Sequence, residues 1–302
     1  MIDIVMPFYG DAELLRAAVR SVMDQSDDRW RLVVLDDRYP DPEPGAWVAG
    51  LDDPRVEYVR NETNLGVAGN FRRSVAIATA SHVTIMGCDD LMHEGYVARV
   101  HDLIAEYPDA AYFQPGVEVI DEQGDVVRPL VDRVKQWYAP AAGAPLQLSG
   151  ADLMRSLARG NWTYFPSICW RTDVVAAHDF DPTLEVALDL DLQFRIVQDG
   201  GSLVVDSVPV FQYRRHHESV SALTANDGTR FVEERRVLRE AADVAADRGW
   251  TRAARAARWR VSSRLSALSR LPATALARDG SGVRSLLSHA VTLDGRARSH
   301  AG

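Results

Sequence analysis

Three apolar runs near the start of the chain set its architecture. Residues 3–7 (DIVMP) lead into Phe8 and Tyr9, residues 30–35 (WRLVVL) into Asp36 and Asp37, and residues 82–86 (HVTIM) into Gly87, Cys88, Asp89 and Asp90. Each is short and almost uniformly apolar, which is the pattern of a strand buried on both faces. Helical patterns separate them. Leu14, Leu15, Ala18, Val19 and Val22 recur at helical spacing behind Asp11, a helix cap, and a second helix is expected over 70–79. A further short strand is expected at 56–59. Strand and helix in alternation imply an α/β fold: a mainly parallel open sheet with helices on both faces, Rossmann-like, joined by right-handed crossovers. Parallel strands put their carboxyl ends on one rim, and that rim is where open α/β sheets bind ligands.

Further along, helices are expected at 96–106, 151–158 and 184–198, and strands at 111–113, 117–120 and 202–208. Residues 38–44 and 132–149 read as irregular, being rich in proline. Helices at 229–246 and 252–271, split at Gly249, form a C-terminal helical extension. The domain reading is a main unit over 1–224, with a donor half of about 1–110 and an acceptor half of about 111–224. A basic extension over 225–272 and a flexible tail over 273–302 follow, the tail having too little apolar content for a core.

The chain of 302 residues carries a net charge of −9, unevenly spread. From Arg230 onward there are fifteen arginines against seven acids, so an acidic body carries a basic tail. Such a tail can contact an anionic membrane surface peripherally, pack against the acidic body, or pair between subunits in a homo-oligomer. An acidic body and a tail without a nucleic-acid motif exclude nucleic acid as partner. Two cysteines make no disulfide framework, and with no signal segment or spanning stretch in view the expected location is cytoplasmic, at most peripheral at the inner face of the plasma membrane.

Candidate chemistry clusters at the strand ends. Asp89 and Asp90 repel each other unless a cation lies between them, and hard divalent ions take oxygen ligands shared with phosphates. Asp36 and Asp37 can accept from a base or ribose, or merely solvate a turn, and Tyr9 can stack on a base. The turn Asn64-Leu65-Gly66, with Asn70, opens a helix whose N–H groups can meet a phosphate, or is an ordinary helix entry. Asp189 and Asp191 do not share a helix face, so one can face a cleft as a general base while the other pairs with Arg195. Arg214 and Arg215 suit a diphosphate and His216 a metal, while Trp162 and Tyr164 suit a sugar or simply the core.

In order and spacing these segments resemble the family 2 inverting glycosyltransferases, which have the glycosyltransferase-A fold, over about residues 2–221. The likeness is carried by Pro7-Phe8-Tyr9, Ser21-Val22-Met23-Asp24-Gln25, Val33-Val34-Leu35-Asp36-Asp37, Asn64-Leu65-Gly66, the acidic pair, the Asp189 helix, and Tyr213-Arg214-x-His216-x-x-Ser219-x-Ser221. The resemblance implies that Pro7 and Tyr9 border the nucleotide base and that Asp37, or Asp36, contacts it. Asp89 matches the last acid of the family's metal-binding Asp-x-Asp, with Asp90 the alternative. Asp189 matches the catalytic base, and His216 a group near the metal and diphosphate. Gly87 replaces the first acid of Asp-x-Asp, which leaves a ribose contact missing or supplied by Asp89. The implied reaction is inverting, Mn²⁺- or Mg²⁺-dependent transfer of a sugar from a nucleoside-diphosphate sugar to an acceptor hydroxyl. A nucleotide-binding protein without catalysis and a membrane-surface scaffold are the alternatives.

Overall fold

The computed structural model describes residues 1–140, 143–215, 229–276 and 280–291. The first unit is β1 (Ile2–Phe8), α1 (Ala12–Met23), β2 (Trp30–Asp36), α2 (Glu43–Ala49), β3 (Val56–Arg60), α3 (Gly66–Ile77) and β4 (His82–Ile85). Asp11 caps α1 by accepting the N–H groups of Glu13 and Leu14 at 2.7 and 3.1 Å, and Leu15, Ala18, Val19 and Val22 bury the face behind it. The strands pair in parallel, β1 between β2 and β4, with Phe8 opposite Asp36 and Val5 opposite Ile85. The carboxyl ends therefore share one rim, as the sequence pattern requires.

The sheet continues as β3-β2-β1-β4-β8-β6-β9-β5, with β7 also on β9. The remaining members are β5 (Leu91–Met92), β6 (Tyr112–Ile120), β7 (Leu146–Ser149), β8 (Cys169–Arg171) and β9 (Ser202–Arg214). Antiparallel β8 divides the parallel half from the parallel pair β6 and β9. Helices α4 (Tyr96–Glu106), α5 (Leu130–Tyr138), α6 (Gly150–Arg159), α7 (Thr172–His178) and α8 (Leu188–Gln198) complete the body. The extension is α9 (Thr229–Asp247), α10 (Thr251–Trp259), α11 (Val261–Leu276) and α12 (Gly280–Val291). Two buried clusters flank the sheet; one contains Leu15, Val19, Val34 and Phe113, the other Trp162, Trp170, Leu192 and Phe194 together with Val237, Leu238 and Ala242 of α9.

The structure corrects several expectations. Residues 38–44 and 132–149 are not wholly irregular, because α2, α5 and β7 form there; prolines at a first turn or between elements do not forbid them. The strands expected at 111–113 and 117–120 are one bulged strand, β6, and β9 runs on to Arg214. The second C-terminal helix breaks at Arg260, whose φ of 46° is left-handed. A helix, α12, stands within the tail expected to be flexible and packs against α9 and α11 around Phe231, Ala267 and Leu286.

Candidate active site

A cavity of about 410 Å³ opens between the end of β4, β9, α5, α8 and α9. Asp89, Asp90 and Gly87 line it together with Asp189, Tyr164, Tyr213 and Arg215. Residues far apart in the chain thus meet in one space. His216, Ser219 and Ser221 lie outside the described residues.

The acidic pair is fixed from β9. Short β5 pairs with β9 at Phe211 and Gln212, which brings the end of β9 beside the acids. The Arg214 N–H donates to Asp90 Oδ1 at 2.8 Å, and Arg214 Nε donates to the Asp89 carbonyl at 2.8 Å. Burial first, and then the Asp89 charge, raise the Asp90 carboxyl well above the usual range. Gly87 explains the departure from Asp-x-Asp. A Cβ there would stand 2.6 Å from Asp90 Oδ2 and 2.7 Å from Asp89 Oδ1, so the two carboxylates fold over the space a side chain would need. Two carboxylate oxygens converging on one point suit a hard cation that draws its remaining ligands from phosphate and water. Among the described residues no group of three His, Cys, Asp or Glu side chains surrounds such a point.

Asp189 stands in the first turn of α8, where free N–H groups favour negative charge. Burial raises its carboxyl above the usual range, opposed by a hydrogen bond from Asn161 and by the Lys135 charge. Asn161 Nδ2 donates to Asp189 Oδ2 at 3.2 Å; Thr163 Oγ1 donates to Asn161 Oδ1 at 2.8 Å; Gln193 Nε2 donates to Thr163 Oγ1 at 3.1 Å. This relay fixes the orientation of the carboxylate. Asp191 points elsewhere and pairs with Arg195 at 2.8 Å, which resolves the question the sequence left open.

The extension reaches this centre. Glu233 of α9 accepts the N–H groups of Glu185, Val186 and Ala187 at 3.0, 2.8 and 3.1 Å, directly before α8 begins. Arg230 and Glu234 of α9 line the cavity. Sequence reasoning missed these residues, because nothing local to 229–247 points toward residue 189. It also missed Lys135, for which a signal exists: the chain has one lysine against thirty-three arginines. Lys135 Nζ donates to the Thr163 carbonyl at 3.1 Å and lies 4.6 Å from the centre of the Tyr164 ring. Burial, with added repulsion from Arg215, pushes its ammonium down to about 8.

The other expected residues divide. Tyr164 lines the cavity and donates to Asp132 at 3.0 Å, whereas Trp162 is buried in the core with its indole N–H on Ser156 at 3.2 Å. Arg215 faces the cavity and pairs with Asp132, while the Arg214 guanidinium is held by the carbonyls of Asp89, Asp121 and Glu122. Pro7, Tyr9, Asp36, Asp37, Asn64, Gly66 and Asn70 lie off the cavity wall, although Val67 and Phe71 of the same helix α3 are on it. Asp37 accepts from Asn61 Nδ2, Leu65 N and Gly66 N at 2.8, 2.7 and 2.9 Å. Asp37 thus takes the N–H groups of Leu65 and Gly66, while Val67, next in the first turn of α3, lines the cavity. Gly66 suits the turn for its φ of 70°. Asn64 donates to the Asp37 carbonyl, and Asn70 accepts from Asn61. Asp36 accepts from Tyr39 N at 2.6 Å and from the Tyr58 hydroxyl, and Tyr9 is exposed with its ring 5.6 Å from that of Tyr39.

Comparison with known proteins follows the same lines. The profile of Glycosyl transferase family 2 matches residues 3–172. The chain belongs to glycosyl transferase family 2. As a member of that family it is 25% identical to the succinoglycan biosynthesis protein ExoO of Rhizobium meliloti over 230 residues, 75% of this chain and 64% of ExoO. Over 91 residues it is 28% identical to WfgD of Escherichia coli, a UDP-Glc:alpha-D-GlcNAc-diphosphoundecaprenol beta-1,3-glucosyltransferase, covering 30% of this chain and 36% of that one. The chain thus spans less than two-thirds of either relative. Among solved structures, S. aureus TarS 1–349 in complex with UDP-GlcNAc superposes with a TM-score of 0.63 at 12% identity, covering 96% of this chain and 90% of TarS 1–349. The architecture of this family 2 member is therefore that of the glycosyltransferase-A fold. Among its described residues no helix is long and apolar enough to cross a membrane.

Proposed function

We propose that this protein transfers a sugar from a nucleoside-diphosphate sugar to an acceptor hydroxyl, with inversion at the anomeric carbon. The observation that carries the reading is the meeting of Asp89, Asp90 and Asp189 in one cavity. Asp89 and Asp90 would hold Mn²⁺ or Mg²⁺, which when bound neutralises charge on the donor diphosphate. Arg215 adds a cation from the cavity wall. The nucleotide base lies toward Pro7 and Tyr9, with Asp36 and Asp37 holding the loop beneath it.

Asp189 accepts the proton of the acceptor hydroxyl. The acceptor oxygen forms its bond to the anomeric carbon from the face opposite the leaving group, and the bond from that carbon to phosphate oxygen breaks, its electron pair leaving with the diphosphate. No covalent enzyme intermediate is required. Asn161 and Lys135 keep Asp189 ionised against the effect of burial, and Glu233 fixes the backbone from which it projects. Tyr164 forms part of the acceptor wall.

UDP-GlcNAc, the ligand of TarS, is the first donor to test. Release of nucleoside diphosphate from a panel of nucleotide sugars, with and without Mn²⁺, is expected to show cation-dependent turnover that Asp89→Asn removes. Nucleotide binding with no turnover for any donor would overturn the reading in favour of a binding protein. A second role, peripheral contact with an anionic membrane, is favoured by α11. Its Val261, Leu265, Leu268 and Leu276 share one exposed face, while residues 251–291 carry eight arginines and one acid. Flotation with anionic vesicles is expected to carry the wild type upward and to leave Leu265→Glu/Leu268→Glu behind; equal flotation of the two removes that role.

A further inference from the structure

Helix α5 turns two different surfaces to its surroundings. Val131 and Lys135 line the cavity, and Asp132 is buried where Tyr164 and Arg215 reach it. On the outer side Leu130, Val134 and Trp137 follow one another at intervals of four and three, so they stack along one face. They are 73%, 40% and 88% exposed. At roughly 100° per residue, Val131 and Tyr138 fill the arc between that face and Lys135. An apolar ramp therefore runs from solvent, over Trp137 and Leu130, past Val131, and into the cavity that holds Asp189. A solvent-facing helix side ordinarily carries charged or polar groups, and a contiguous apolar patch ending at a cleft marks a binding surface.

We infer that this ramp docks an apolar group attached to the acceptor, so that the hydroxyl delivered to Asp189 belongs to an alkyl- or aryl-linked compound rather than a free sugar. The inference rests on the transferase reading above. Continuity with the cavity selects the occupant: a chain lying on Trp137 and Leu130 connects directly with a hydroxyl group inside. Arg128 just ahead of α5 and Arg133 beside Trp137 make an anionic bilayer the rival occupant, which the vesicle arm of the test separates.

The test uses the full chain with paired methyl and n-octyl glycosides of glucose, galactose and N-acetylglucosamine as acceptors. The octyl compound of the accepted sugar is expected to show kcat/KM about tenfold or more above its methyl partner, the gain lying in KM. Trp137→Ala is expected to raise the octyl KM to the methyl value. A second readout needs no turnover. The emission lost in Trp137→Phe reports on Trp137, and octyl glycoside below its micelle concentration is expected to shield that emission from acrylamide. Equal kcat/KM for the two glycosides, or unshielded Trp137 at saturating octyl glycoside, overturns the inference while leaving transfer intact. Shielding without transfer to any acceptor upholds the docking site and overturns the transferase reading. Shielding by phosphatidylglycerol vesicles alone, or by a dimer that Trp137→Ala dissolves, overturns the assignment to the acceptor.

Discussion

Acids at strand and helix ends serve this molecule in two opposite ways. On the rim of β1, β2 and β3 they are turned inward. Asp37 gathers Asn61, Leu65 and Gly66, and Asp36 takes Tyr39 and Tyr58; at the opposite, amino end of β1, Asp3 likewise takes Arg31 with the N–H groups of Thr79 and Ala80. Around the cavity, Asp89, Asp90 and Asp189 face a shared space, and burial raises the carboxyls of Asp90 and Asp189. The rim acids hold loops in place; the cavity acids are left in a state that favours a cation or a proton. Residue type and position at a strand end do not separate these two uses. What separates them is what the carboxylates face: both oxygens of Asp36 and of Asp37 take protein donors, whereas Asp89, Asp90 and Asp189 line the cavity, Asp90 while accepting one backbone N–H.

That contrast can be broken most sharply at Asp189. Asp189→Asn removes the proposed proton acceptor and is expected to lower turnover by about 10²–10⁴, with nucleotide affinity by calorimetry nearly unchanged. Asp37→Ala should do the reverse. Loss of a buried charged acceptor with three donors is expected to destabilise the fold by about 1–3 kcal/mol in urea unfolding, and any fall in turnover should be accompanied by weaker nucleotide binding. A stable Asp37→Ala that binds nucleotide normally yet is inactive would make the rim acid a chemical group.

Glu233→Ala tests whether the extension serves the site. It strips three N–H groups of their acceptor just ahead of α8, and a lost helix-end acceptor costs about 0.5–2 kcal/mol. The expected result is a kcat lower by about tenfold, little change in KM, and partial rescue by Glu233→Gln. Equal falls in kcat for all four variants at Glu233 and Glu234 to Ala or Gln would point to general loosening of α9 instead.

The smallest effects lie in the pH profile. A base acts when deprotonated, so with Asp189 in that proposed role kcat/KM is expected to fall as pH drops through its raised pKa. Asn161→Ala removes a hydrogen bond that favours the ionised form, raises that pKa further, and should move the acid limb to higher pH. On the alkaline side Lys135 loses its charge near pH 8, being pushed down to about 8. An arginine keeps its charge through this range, so Lys135→Arg is expected to flatten the alkaline limb. An unmoved acid limb in Asn161→Ala would separate this hydrogen bond from the ionisation that controls the rate.

The parallel half of the fold was legible because its strands are buried on both faces and its helices show a clean apolar stripe. Helix α5 was not, since Leu130, Val134 and Trp137 form an apolar stripe that faces water rather than a core and the stretch with Pro140 and Pro145 read as loop. At the site, Asp89, Asp90 and Asp189 could be picked out from local pattern and resemblance. Trp162 and Tyr164 could not be told apart, because two aromatic residues in one extended segment differ only in which way the chain turns them. Glu233 and Lys135 are legible only through tertiary contact, although the solitary lysine was a compositional clue.

The proposed transfer turns on Asp189 acting as a base in direct displacement at the anomeric carbon. Proton NMR of the first product formed from an α-linked nucleotide sugar measures this directly. Direct displacement gives a β-linked product with no α anomer at early times; an α-linked first product would contradict it.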